Sequence, residues 1–145
     1  MNLMADSSTG ALNSAGDHPP TILVVDDEAM IRQLLRWILA HLGYNVLSAP
    51  NGAEALAIAA RTDSFHILIT DLNLPGMSGV ELADELRATR PELMTLFISG
   101  SSREEFEDLG IDMSQSTFIP KPFSLPQVSE AIGALTEREA LGVLR

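Results

Sequence analysis

Residues 21–28 read Thr-Ile-Leu-Val-Val-Asp-Asp-Glu, a run of five β-forming residues that ends at acidic residues. A strand with one buried face alternates apolar and polar side chains, whereas a strand buried on both faces is apolar throughout. The run does not alternate, so it predicts a strand covered on both sides. A second strand of this kind is predicted at residues 65–70 and leads directly into Asp71.

Helical patterns separate the predicted strands. The strands are predicted at residues 21–25, 46–47, 65–70, 93–98 and 117–119, and the helices at residues 30–42, 53–61, 78–88, 102–109 and from Ser124 onward. Ser124 begins the last helix with a capping box to Gln127. In the first helix, the apolar stripe expected to face the sheet consists of Met30, Ile31, Leu34, Leu35, Ile38, Leu39 and Leu42. Five strands alternating with five helices predict an α/β fold, a doubly wound parallel sheet with helices on both faces.

Composition limits the class of protein. The chain has 145 residues, 46% of them apolar, which suits one folded domain. The net charge of −11 argues against direct contact with nucleic acid or anionic membranes. Without cysteines, disulfides and thiolate metal sites are excluded, and no signal peptide or membrane span is evident. We therefore expect a cytoplasmic protein.

The chain divides into three parts. Residues 1–20 are rich in Ser, Gly, Asn and Ala, end in two prolines, and are interpreted as a flexible tail or linker. Residues 21–140 are predicted to form the folded domain, and residues 141–145 are predicted to extend its last helix. The linker-like start is compatible with a stand-alone protein and with a segment of a longer one.

Polar residues follow four of the predicted strands. Asp26 and Asp27 follow the first, Asp71 the third, Ser99 the fourth, and Lys121, the only lysine of the chain, the fifth. The carboxyl ends of parallel strands share one edge of the sheet, where ligands bind in such folds. Carboxylates with one ammonium at such an edge are suited to phosphoryl chemistry with Mg²⁺.

Four motifs together resemble the receiver domain of two-component response regulators. They are Val24-Val25-Asp26-Asp27-Glu28, Asp71 with the following Asn73-Leu74-Pro75-Gly76-Met77-Ser78-Gly79, Ile98-Ser99-Gly100, and Phe118-Ile119-Pro120-Lys121-Pro122-Phe123. Their joint order and spacing is specific, and the resemblance covers residues 21 to about 138. It implies a flavodoxin-like three-layer sandwich with strand order 2-1-3-4-5.

The resemblance also implies roles for individual residues. Asp71 would accept a phosphoryl group. Asp27, Asp71 and the backbone carbonyl of Asn73 would hold Mg²⁺ directly, with Asp26 acting largely through water. Lys121 and Ser99 would contact the phosphoryl oxygens, and Ser99 and Phe118 would form a switch.

The same resemblance implies the partners. The phosphoryl donor would be a histidine kinase or a histidine phosphotransfer protein, and phosphorylation would change the surface of the fourth helix, fifth strand and fifth helix for an unknown output protein. Such a protein turns over no external substrate, although it assists its own phosphorylation and dephosphorylation. We expect a monomer or a weak phosphorylation-dependent dimer, acting alone or as part of a hybrid histidine kinase.

Other interpretations remain open. An acid at a strand end is often only a turn or cap residue, which applies most to Asp26. Ser99 could simply end a strand. On the first helix, Trp37 and His41 could pack at the rim, which we favour, or help to dock a partner. The acidic fourth helix could be only a solvated face, and its inward anchors are predicted to be Phe106 and Leu109.

Two other functions compete with the receiver. A non-phosphorylated pseudo-receiver would act only as a protein-binding module, but all the expected residues at the edge are present. A phosphatase of the haloacid dehalogenase type would need a second Asp two residues after Asp71, where this chain has Asn73.

Overall fold

The computed structural model describes residues 20–62 and 64–140, with side chains described to residue 137. Most of the predicted tail at residues 1–20 and all of residues 141–145 lie outside this range. The strands are β1 (Thr21–Val25), β2 (Asn45–Ala49), β3 (Phe65–Asp71), β4 (Met94–Ser99) and β5 (Ser116–Pro120). The helices are α1 (Ala29–His41), α2 (Gly52–Ala60), α3 (Gly79–Thr89), α4 (Arg103–Glu107) and α5 (Leu125–Ala140).

The five strands form one parallel sheet in the order β2-β1-β3-β4-β5. This order and the helices on both faces confirm the predicted doubly wound fold. Within the described residues, no helix is long and apolar enough to span a bilayer.

Strand β1 divides its side chains between two cores, as its apolar run predicts. Ile22 and Val24 pack with residues of α1 and α5, whereas Leu23 and Val25 pack with residues of α2 and α3 on the other face. All four side chains are buried. Burial on both faces therefore fixes β1 in the middle layer, with its acidic end at one edge of the sheet.

Helix α1 buries fewer residues than the predicted stripe. Leu35, Ile38 and Leu39 are buried, but Met30 is 80% exposed and Leu34 is 42% exposed. The stripe was predicted too wide, because its spacing sets a direction around the helix but not the width of the face that the sheet covers.

Helix α4 is short and has one internal anchor. Of its five residues, Phe106 is buried, whereas Leu109, predicted to be a second anchor, is 52% exposed. That prediction was wrong because the helix ends at Glu107, so Leu109 lies beyond its last turn. Gly110 then takes a left-handed conformation (φ 69°), which turns the chain toward β5.

A half-buried arginine links α3 to the amino ends of two strands. Arg87 Nη2 donates to Thr95 Oγ1 on β4 at 3.0 Å and to Ser116 Oγ on β5 at 2.9 Å. Its Nε donates to the carbonyl of Leu93 at 3.4 Å. One side chain thus joins three elements at the edge opposite the predicted site.

Candidate functional site

The register of the sheet brings the predicted site residues to one edge. Val25 pairs with Thr70, so Asp26 and Asp71 follow neighbouring positions of β1 and β3. Ser99 pairs with Pro120, which places Lys121 just beyond the end of β4. The Lys121 amide also donates to the Ser99 carbonyl at 2.8 Å.

Lys121 is the centre of the ion pairs at this edge. Its Nζ lies 2.8 Å from Asp71 Oδ2, 3.0 Å from Asp26 Oδ2 and 3.4 Å from Glu28 Oε2. The Lys121 side chain is 15% exposed, and the side chains of Asp26 and Asp71 are nearly buried. The three N–H groups of one ammonium thus face three carboxylates from two segments of the chain.

Burial and pairing act against each other on the pKa values of this site. Burial raises the pKa of Asp26, and this outweighs the opposing effects of the Glu28 amide and Lys121. Burial would lower the pKa of Lys121, but hydrogen bonds and charges from Asp71 and Asp26 outweigh it and raise that pKa. Lys121 is therefore held as a cation, whereas the charge on Asp26 is costly.

The acidic groups could hold a divalent cation. Asp26, Asp27, Glu28 and Asp71 each offer a carboxylate oxygen, and these oxygens lie within 4.8 Å of one another. Asp27 and Glu28 are exposed, whereas Asp26 and Asp71 are buried. Clustered oxygen ligands open to water are the environment that Mg²⁺ prefers, so this donor set fits the ion.

Both carboxylate oxygens of Asp71 are held in place. Oδ1 accepts a hydrogen bond from the backbone amide of Asn73 at 3.0 Å, and Oδ2 accepts one from Lys121 Nζ. The first residue of α3, Gly79, passes so close to the Asp71 backbone that a Cβ there would collide with the Asp71 carbonyl. The Gly79 amide donates to the Leu72 carbonyl at 2.9 Å. A residue without a side chain is thus needed to place the loop after Asp71.

Ser99 lies in the same pocket. It is fully buried, and its Oγ is 3.5 Å from Asn73 Nδ2 and accepts the Ser101 amide at 3.2 Å. The peptide bond between Lys121 and Pro122, just after β5, is cis. The structure therefore brings Asp26, Asp27, Asp71, Asn73, Ser99 and Lys121 together.

Phe118 lies on β5, three residues before Lys121. Its ring is buried and stacks on Phe106 of α4, with ring centroids 4.6 Å apart. The Arg103 guanidinium lies 5.5 Å from the centre of the Phe118 ring, and its Nη2 donates to the Phe118 carbonyl at 3.2 Å. The ring on β5 is therefore in direct contact with α4.

Two residues of the site were not predicted. Glu28 was read only as part of a motif, although the acidic triplet at residues 26–28 was a visible signal. Gly79 was also quoted without a role, because close approach of two backbones cannot be read from spacing.

The sheet order and the acidic pocket at its carboxyl edge define a flavodoxin-like α/β domain of the receiver type. Residues 22–133 match the sequence model described as response regulator receiver domain, so the chain belongs to that family. Receiver domains are signalling modules that bind Mg²⁺ at an acidic pocket and interact with histidine kinases and output partners.

Relatives of known name agree with this family. The probable transcriptional regulatory protein TcrX of Mycobacterium tuberculosis is 32% identical over 127 residues, covering 88% of this chain and 54% of the relative. Response regulator MprA of Mycobacterium leprae is 35% identical over 117 residues, covering 81% of this chain and 51% of the relative. The chain thus spans about half the length of these curated relatives.

Solved structures match over nearly their whole length. A response regulator receiver domain protein from Clostridium thermocellum has a TM-score of 0.75 and 27% identity, covering 84% of this chain and 98% of that chain. The receiver domain of the hybrid histidine kinase CckA has a TM-score of 0.66 and 32% identity, covering 79% of this chain and 97% of that chain.

Proposed function

We propose that this protein accepts a phosphoryl group on Asp71 from a phosphohistidine of a histidine kinase or phosphotransfer protein. The observation that carries the proposal is the placement of Lys121 Nζ between Asp71 and Asp26, beside further carboxylates at the carboxyl edge of the sheet. Asp71 is a nucleophile with a neighbouring cation, and both are near the opening of the pocket.

The transfer is an in-line displacement at phosphorus. A carboxylate oxygen of Asp71 attacks, and its bond to phosphorus forms as the bond between phosphorus and the partner's imidazole nitrogen breaks. That nitrogen keeps the electron pair and takes up a proton from solvent. Later, water attacks the phosphorus, releasing inorganic phosphate and regenerating the Asp71 carboxylate.

The residues around Asp71 have separate tasks. The Asn73 amide fixes one oxygen of Asp71, while Lys121 moves from the other oxygen to a phosphoryl oxygen as negative charge arrives. Ser99 donates its hydroxyl to the same group. Asp26, Asp27, Asp71 and the Asn73 carbonyl would hold Mg²⁺, which when bound neutralises charge on the phosphoryl oxygens.

The output depends on Phe118 and α4. The Phe118 ring is inside and stacks on Phe106, so the switch is an equilibrium between this arrangement and one in which the ring is turned out. A phosphoryl group that draws Ser99 toward itself vacates space for the Phe118 ring and so favours the inward arrangement. Because Phe106 is the anchor of α4, this shift changes the surface formed by α4, β5 and α5.

Helix α1 offers a face for the phosphoryl donor. Met30, Leu34 and Trp37 are exposed on it, and the Trp37 ring stacks on His41 with centroids 5.4 Å apart. Trp37 is 59% exposed and His41 is also exposed, which weakens the interpretation that they pack at the rim. Exposed apolar residues on a helix that begins beside Asp27 suit the helix of a partner that presents a histidine.

Chemical labelling tests the proposal. With Mg²⁺ and either acetyl phosphate or a labelled kinase, the protein should gain one acid-stable, base-labile phosphoryl group, and Asp71→Asn should gain none. Failure to label with both donors would favour a pseudo-receiver, and continuous turnover of a phosphate ester would favour a phosphatase.

A further inference from the structure

Glu28 occupies the N-cap position of α1 without capping the helix. Its side chain makes no hydrogen bond to the first turn. In contrast, α2, α3 and α4 begin at Asn51, Ser78 and Ser102, and each of these side chains accepts an amide of its own first turn. Ser, Thr, Asp and Asn are the residues that stabilise this position, and Glu is not among them. Helix α1 therefore lacks a stabilising contact that its neighbours have.

The Glu28 side chain points to the pocket instead. Its Oε2 lies 3.4 Å from Lys121 Nζ, a residue 93 positions away, although the side chain is 61% exposed. One of its carboxylate oxygens is also within 4.8 Å of those of Asp26, Asp27 and Asp71. The Glu28 amide donates to Asp26 Oδ1 at 2.9 Å, which fixes the backbone beside the pocket.

We propose that Glu28 is a fourth acidic residue of the pocket and that its carboxylate raises the affinity of the pocket for a divalent cation. This inference rests on the proposed function. Four carboxylates facing one ammonium leave the pocket with excess negative charge, and the charge of Glu28 adds to the attraction of a dication.

The effect of Glu28 is moderate because its carboxylate is exposed to water. A unit charge about 5 Å from a dication, screened by water and salt, changes the dissociation constant by roughly three- to tenfold. Glu28→Gln, which removes the charge at nearly constant size, should weaken Mg²⁺ binding by this factor.

Calorimetric titration of the metal-free protein with MgCl₂ measures this directly. The matched control is Glu85→Gln, which removes one charge from an exposed position of α3 and should leave the dissociation constant unchanged. Equal Mg²⁺ affinity of wild type and Glu28→Gln would overturn the inference while leaving the proposed function intact. A wild-type protein that binds no Mg²⁺ would overturn both.

A capping variant separates this role from a structural one. Glu28→Ser supplies the side-chain cap that α1 lacks, so its melting temperature in EDTA should rise by a few degrees, while its Mg²⁺ affinity should fall as for Glu28→Gln. A lower melting temperature together with unchanged Mg²⁺ affinity would mean that Glu28 only supports the fold, which would refute the proposal.

Discussion

Replacing Lys121 by Met should lower the free energy of unfolding of the metal-free protein. Added Mg²⁺ should restore most of the loss. Met has a similar length to Lys but carries no charge. The change leaves Asp26 and Asp71 without the ammonium that lies 3.0 Å and 2.8 Å from their Oδ2 atoms. Both carboxylates are nearly buried, so water cannot fully replace the lost partner.

The size of the effect follows from this burial. Removing one partner of a buried ion pair typically costs about 3–5 kcal/mol, because a charge is left without compensation. We expect about 3 kcal/mol here, at the lower end of that range, since Asp27 and Glu28 leave the pocket open to water. The exposed contact with Glu28 adds little.

Urea denaturation at pH 7 in EDTA, with and without excess MgCl₂, measures the change. The variant should recover most of the lost free energy of unfolding in Mg²⁺, because the ion supplies positive charge beside the same carboxylates. At acidic pH the difference should shrink, because burial raises the pKa of Asp26 and its protonated form no longer needs a cation.

Arg61→Met is the control for loss of one positive charge at an exposed position. Its free energy of unfolding should change by less than about 0.5 kcal/mol, with or without Mg²⁺. If Lys121→Met is as stable as wild type in EDTA, or if Mg²⁺ does not restore it, the electrostatic account of the pocket is incorrect.

Three further predictions concern single contacts. Asp26→Asn should stabilise the protein at pH 7 in EDTA, because burial raises the pKa of Asp26 above its ordinary 3.8 and ionisation of this carboxyl therefore destabilises the folded state. Below about pH 4 the carboxyl is protonated in the folded and the unfolded state, so the gain should vanish. Urea denaturation at pH 7 and below pH 4 measures both. Phe106→Ala should cost about 3–5 kcal/mol and expose α4, which hydrogen exchange of its amides would detect; protection equal to wild type would contradict its role as anchor. Gly79→Ala adds a Cβ that would collide with the Asp71 carbonyl, so it should slow the labelling of Asp71 by acetyl phosphate. Labelling at the wild-type rate would mean that the loop adapts.

Much of the fold was predictable because the apolar runs are unambiguous. The unbroken run at residues 21–25 and the strand ending at Asp71 predicted strands buried on both faces, and the structure confirms both. Once the strands are parallel, the positions of Asp26, Ser99 and Lys121 at strand ends suffice to place them at one edge. The order of the strands was expected only from the family resemblance.

Details that depend on three-dimensional contact were not predictable. The exposure of Met30 and Leu109 depends on how α1 is rotated and where α4 stops, and neither follows from hydropathy. The reach of Glu28 to Lys121 joins two segments far apart in the chain. Phosphorylation, metal binding and the roles of Ser99 and Phe118 stay predictions.

The Arg87 side chain cross-links β4 and β5 at one end only. At their amino ends, the planar guanidinium of Arg87 donates hydrogen bonds to both Thr95 and Ser116 and so links the two strands. At the carboxyl ends, the strands meet around Ser99 and Lys121, whose contacts are the ones proposed to rearrange. If phosphorylation rearranges the contacts of Ser99 and Lys121 as proposed, the displacement is expected at the carboxyl ends of β4 and β5, while Arg87 keeps their amino ends in register.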